Sequence, residues 1–218
     1  GEWFKCNVDD VKTAINVLRN GDLSIEGRPY DFAMRPEQKE AVDKTAEYFT
    51  SIGAEDESAV PHFLWNAKMR FGKTFAAYQL ALEMNWKRVL VLTFKPAVQS
   101  AWEEDLKTHT DFVGWQFIQS NGLQYSDADK TRPFVCFGSF QDFLGKNSVG
   151  GIKLKNEWVH AIHWDCVIFD EYHYGAWREN AKELFEAEDK KEFRAQEGEG
   201  IDYFDEDIMP ITTSHYLY

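Results

Sequence analysis

The side chains with the clearest chemistry lie in Ala67-Lys68-Met69-Arg70-Phe71-Gly72-Lys73-Thr74. A small residue, four variable positions and Gly-Lys-Thr form the pattern of a phosphate loop. An apolar run, Phe63-Leu64-Trp65, precedes it, and a helical pattern from Phe75 to Leu82 follows. Gly72 lets the backbone come close to a phosphate, while the N–H groups of the loop and the helix N-terminus face negative charge. Lys73 can reach the β and γ phosphates of ATP, and the Thr74 hydroxyl can ligate Mg²⁺. Arg70, inside the loop, either packs outward or meets a partner lobe.

A second set of residues strengthens the first. Asp165-Cys166-Val167-Ile168-Phe169-Asp170-Glu171-Tyr172-His173 reads as an apolar strand ending in two adjacent carboxylates. A nearly continuous apolar run suits a buried parallel strand, and ligands of open α/β sheets collect at the carboxyl ends of such strands. Asp170 is then placed to hold Mg²⁺, directly or through water. Glu171 is placed to orient or deprotonate an attacking water. A lone Asp-Glu pair is more often a solvated loop; the upstream Gly-Lys-Thr reverses that balance. Two classes stay open: an ATP-driven nucleic-acid motor, or a phosphate-loop protein such as a small-molecule kinase or a nucleotide-dependent switch. The acidic pair favours attack by water, hence hydrolysis. His160, His163 and Cys166 have a spacing that hints at metal ligands, but a structural zinc site wants four protein ligands, and no fourth is evident.

These residues need elements to position them. Periodicity predicts strands over residues 62–66, 88–94, 115–118, 134–138, 165–169 and 215–218. It predicts helices over 10–20, from Pro36 onward, and over 73–84, 97–108, 140–144 and 178–195. Ala41, Val42, Thr45 and Phe49 would line the buried face of the second. Alternating strands and helices imply a mostly parallel sheet covered on both faces. Trp65, Trp102 and Trp164 sit at apolar-pattern positions and are expected in the core. Residues 148–155 and the acidic stretch 196–207 read as loops.

Bulk properties narrow the class. The 218 residues are 44% hydrophobic and 16% aromatic, enough for one large α/β domain with a full core. The net charge of −13 argues against a broadly basic nucleic-acid surface. Residues 178–207 hold twelve acidic and five basic side chains, about half of that excess, so the remainder is only mildly acidic. Cys6, Cys136 and Cys166 form no pair motif, which suits a reducing compartment. With no bilayer-length apolar run and no visible signal peptide, a cytoplasmic protein without a membrane partner is expected.

The order of the motifs resembles the first RecA-like lobe of superfamily 2 helicases and translocases, the DEAD/DEAH-box proteins among them. Within these it is most similar to the motor (R) subunit of Type I and Type III restriction enzymes. The resemblance covers residues 32–218 and leaves 1–31 as a lead-in with one helix. It implies a three-layer RecA-like α/β domain that binds and hydrolyses ATP with Mg²⁺, with Lys73, Asp170 and Glu171 as catalytic residues. Asp170-Glu171-Tyr172-His173 matches the Asp-Glu-x-His box, in which His173 links nucleotide and nucleic-acid sites. Met34-Arg35-Pro36-Glu37-Gln38 resembles the adenine-recognition segment, which adds Arg35 and Gln38 to the nucleotide site. Thr93-Phe94-Lys95-Pro96 and Gly138-Ser139-Phe140-Gln141 resemble two segments that touch the nucleic-acid backbone. Lys95, Pro96, Ser139 and Gln141 thereby become candidate contacts to DNA phosphates, independent of sequence. The alternatives, Lys95 as a solvated lysine and Ser139 as a helix N-cap, carry equal weight. Residues 215–218 resemble the strand leading into the Ser-x-Thr step of the family, which does not follow here. The expectation is a fragment of a larger protein. Its partners would be a second RecA-like lobe and further domains of the parent, with methyltransferase or specificity subunits as possible further ones.

Overall fold

The computed structural model describes residues 27–93, 96–143, 156–170 and 211–218, with Pro96 and Gln141 placed by backbone alone. The helices expected over 10–20 and 178–195, the acidic stretch 196–207 and Cys6 lie outside the described residues.

Six strands form one sheet: β1 (His62–Phe63), β2 (Arg88–Thr93), β3 (Gln116–Ile118), β4 (Phe134–Ser139), β6 (Cys166–Asp170) and β8 (Tyr216–Leu217). Their spatial order is β1-β8-β6-β2-β4-β3, and every pairing is parallel. A separate parallel pair joins β5 (His163–Trp164) to β7 (Thr212–Thr213). Successive side chains of a strand point to opposite faces, and the central strands feed two cores accordingly. Val89, Val91, Val135, Phe137, Cys166 and Ile168 enter one core, while Leu90, Leu92, Phe134, Cys136, Val167 and Phe169 enter the other.

Helices α1 (Pro36–Glu55), α2 (Lys73–Glu83) and α3 (Gln99–Thr108) cover the first face. The short α4 (Phe140–Phe143) and α5 (Glu157–Ala161) cover the second. The result is the expected three-layer α/β domain with a parallel sheet. In α1, Pro36 suits the first turn, and Gln38, Val42, Thr45 and Phe49 form the buried stripe. Ala41 is only half-buried. A left-handed Asn85, φ 54°, ends α2. Its N–H bonds Leu82 O and that of Trp86 bonds Ala81 O, a Schellman closure. A 3₁₀ turn, Pro96–Val98, precedes α3 where continuous helix was expected. At Gly138 any Cβ would overlap the Phe143 ring, so glycine lets α4 fold back on its own strand.

The expected strand over 62–66 stops at Phe63. Its sheet neighbour among the described residues, β8, is two residues long. The Trp65 N–H still reaches Tyr218 O at 2.8 Å, but the indole turns onto Thr45 Oγ1, also at 2.8 Å, and the chain leaves the sheet as a loop. Contacts of this lobe extend upstream of Phe32. Arg28 donates to Leu106 O and His109 O at 2.6 Å each, satisfying carbonyls at the end of α3. No helix among the described residues is long and apolar enough to cross a membrane.

Candidate functional site

Residues 64–72 join β1 to α2 at the carboxyl edge of the sheet. Arg70 and Gly72 both adopt left-handed backbone, φ 65° and 79°. Gly72 is required twice over. Its conformation disfavours a side chain, and a Cβ there would lie 2.7 Å from Gln38 Nε2. Arg35 and Gln38, from the start of α1, hold the loop from behind. The Arg35 guanidinium donates to Arg70 O at 3.0 Å and to Phe71 O. Gln38 Nε2 donates to Phe71 O at 2.8 Å, while its Oε1 accepts the Arg35 N–H at 2.9 Å. With those carbonyls engaged, Ala76 N–H to Gly72 O begins the α2 ladder at 3.1 Å. The N–H groups of the first helical turn precede that ladder, the usual arrangement for receiving an anion. Ala67, Lys68 and Met69 form the outer part of the loop, with Met69 96% exposed.

Lys73 opens α2, and Asp170 closes β6. Lys73 Nζ lies 3.8 Å from Asp170 Oδ1, with side chains 42% and 9% exposed. Asp170 Oδ2 accepts the Trp102 indole N–H at 2.8 Å in a buried contact. A cleft of about 340 Å³ opens over this group, and Lys73, Asp170, Trp65, Trp102 and Tyr218 help to line it. A second, of about 490 Å³, shares the 64–67 wall and runs to Arg35, Lys44 and Met69. Gln38, expected at the adenine, is buried as a brace of the loop.

Register fixes a further row of residues. Thr93 pairs with Ser139 on one side and Asp170 on the other. At the usual strand spacing Ser139 therefore sits about 10 Å from Asp170 along the sheet edge. Its hydroxyl is engaged as a cap: it donates to Asp142 Oδ2 at 2.9 Å and accepts the Asp142 N–H at 3.1 Å. Lys95, Glu171 and His173 lie outside the described residues, as do the side chains of Pro96 and Gln141.

The donors present suit magnesium. A carboxylate at Asp170 and a hydroxyl at Thr74 are hard oxygen ligands, and Mg²⁺ in nucleotide sites takes one or two such groups together with phosphate and water. The histidine–cysteine group behaves otherwise. His160 Nε2 bonds Phe143 O at 2.8 Å, His163 Nε2 bonds Ser214 Oγ at 2.8 Å, and Cys166 is buried. Burial pushes the Cys136 and Cys166 thiols up, so neither is a reactive thiolate.

Two features of the site escaped the sequence reading. Trp102 reads as core, and nothing in its spacing shows that its N–H meets Asp170. The clasp of Arg35 on the loop carbonyls joins residues 35 apart in sequence, a distance no periodicity spans.

Residues 31–194 match the family described as the type III restriction enzyme, res subunit. Over 185 residues the chain is 33% identical to a Mycoplasma pneumoniae protein provisionally named as the C-terminus of a type II restriction enzyme and methyltransferase. That alignment takes in 81% of this chain and 25% of the relative, so the chain spans about a quarter of the relative's length.

Proposed function

The chain belongs to the family of type III restriction enzyme res subunits, and from that premise we propose that it is the ATP-binding and ATP-hydrolysing lobe of a DNA helicase or translocase in a restriction system. One observation carries the reading. A lysine at the head of a helix, behind a left-handed glycine, stands 3.8 Å from a carboxylate at the end of a parallel strand. Phosphoryl transfer to water needs little covalent help from a protein; it needs positioning and charge stabilisation. Lys73 and the N–H groups around Gly72 supply positive potential at the phosphates, and Asp170 and Thr74 would hold Mg²⁺. Bound there, that ion would supply positive charge to offset that of the phosphates. Glu171 orients the attacking water and takes its proton. Arg35 and Gln38 keep the loop in its receiving shape, and Arg35 borders the base-side cleft. His173 carries the link toward nucleic acid.

The parent protein would add a second RecA-like lobe and further domains. Residues 32–218 form the ATP-binding lobe, residues 1–31 lead into it, and the whole acts in the cytoplasm. DNA would run along the face bearing Lys95, Pro96, Ser139 and Gln141, held by its phosphates without sequence readout. Methyltransferase or specificity subunits are the expected protein partners. The test is ATP turnover by the full-length parent, with and without duplex DNA, in the wild type and in Glu171→Gln. DNA should stimulate the wild type. Glu171→Gln should keep nucleotide affinity and lose about 10²–10⁴-fold in rate. Turnover without any DNA response would move the protein to the kinase or switch class.

A further inference from the structure

Asp170 has two oxygens with different neighbours. Oδ1 lies 3.8 Å from Lys73 Nζ, and Oδ2 accepts the Trp102 indole N–H at 2.8 Å. Rotation of an aspartate carboxylate about its last bond is broad and roughly two-fold, so the group keeps one orientation only if something anchors an oxygen. Trp102 is itself well fixed. It is 2% exposed, its backbone carbonyl accepts the Tyr78 hydroxyl at 2.7 Å, and the Tyr78 ring packs edge-on against it at 5.4 Å. The indole fills this buried space with two rings, and it alone among apolar side chains of that kind adds an N–H; that N–H points at the carboxylate.

We propose that Trp102 is the positioning residue for Asp170, holding Oδ2 so that Oδ1 is presented to Lys73 and to the magnesium of a bound nucleotide. This rests on the reading of Asp170 as the magnesium-holding carboxylate. It also makes α3 part of the nucleotide site, because the anchor is carried on that helix. Partners that orient metal ligands typically change metal affinity by about 10–100-fold when removed.

The experiment titrates Mg²⁺ into the full-length protein holding a fluorescent, non-hydrolysable ATP analogue, and compares wild type, Trp102→Phe and Asp170→Asn. Nucleotide affinity in EDTA is measured alongside. Trp102→Phe should raise the apparent Mg²⁺ dissociation constant about 10–100-fold, well beyond any change in the affinity measured in EDTA. Site-specific replacement of Trp102 by benzothienylalanine keeps the bicyclic shape and exchanges N–H for sulfur, and gives the same reading if the phenylalanine variant does not fold. Wild-type magnesium affinity in either folded variant overturns the proposal and leaves Trp102 as packing. If Asp170→Asn also binds magnesium normally, the reading of Asp170 fails rather than the role of Trp102 alone.

Discussion

Asp165 and Asp170 flank one apolar strand, β6, and meet different surroundings at its two ends. At the amino end Asp165 is tied to backbone. Its Oδ2 accepts the N–H groups of Lys87 and Arg88 at 2.6 and 2.8 Å, its own N–H donates to Arg88 O, and its carbonyl accepts from His215 Nδ1 at 2.7 Å. At the carboxyl end Asp170 meets side chains, Lys73 and Trp102, beside an open cleft. A carboxylate with one oxygen held by two backbone N–H groups belongs to the scaffold, since those donors cannot leave without moving strands. A carboxylate facing a half-exposed lysine can exchange that partner for a ligand. On the proposed reading, the same residue type on the same strand is thus a rivet at one end and a reagent at the other.

The largest effect should come from the reagent end. Lys73→Ala in the full-length protein is expected to lower ATP turnover by at least about 10²-fold, the usual consequence of removing one electrostatic partner of a transition state. Nucleotide affinity should fall with it and the melting temperature should hardly change. Turnover and affinity equal to wild type would break the comparison. At the rivet end the expected pattern is inverted. Asp165→Ala should destabilise the fold by about 1.5–3 kcal/mol, the range for hydrogen bonds to a charged group, and leave turnover intact at low temperature. Thermal melting reads this directly. Lost turnover with an unchanged melting temperature would mean that Asp165 takes part in the chemistry.

A smaller effect sharpens the contrast. Burial against Phe49 and Trp86 lowers the pKa of His215 from its usual 6.5, outweighing the nearby Asp165 that favours the charged form; His163 adds to the lowering. The folded chain therefore resists protonation more than the unfolded chain. The stability tied to neutral His215 is present above pH 6.5 and is lost as pH falls from there toward the lower folded value. Melting temperatures of wild type and His215→Gln between pH 8 and 5 should diverge on the acid side. Parallel curves would show that His215 does not titrate differently on folding.

Much of this was legible in the sequence, for a physical reason. Val89 to Leu92 and Cys166 to Phe169 are uninterrupted apolar runs because both faces of the sheet are covered, and such runs can be read without a structure. The turn into α2 at Gly72, Lys73 and Thr74 could be read because its pattern is made of contiguous residues. The Trp102–Asp170 bond could not, since it joins two elements 68 residues apart and a tryptophan at an apolar position looks the same with or without a partner. Ser139 shows the limit from the other side. Its hydroxyl suits a phosphate contact and a helix cap equally well by composition, and in the folded chain it serves as the cap. The short pair β5–β7 and the five-residue α5 gave no usable period at all.

Among the described residues, the strand that launches the 64–72 loop enters the sheet through β8, Tyr216–Leu217. Trp65 N–H is tied to Tyr218 O, and Tyr218 N–H to Phe63 O. During synthesis the ribosome releases the loop long before its anchor. At roughly 5–20 residues per second, about 7–30 s separate the two. Throughout that interval the nascent chain carries a complete phosphate-loop sequence with no strand to hang it on. On the proposed reading, the ability to grip a nucleotide is therefore acquired late, when the distal strand slots between β1 and β6.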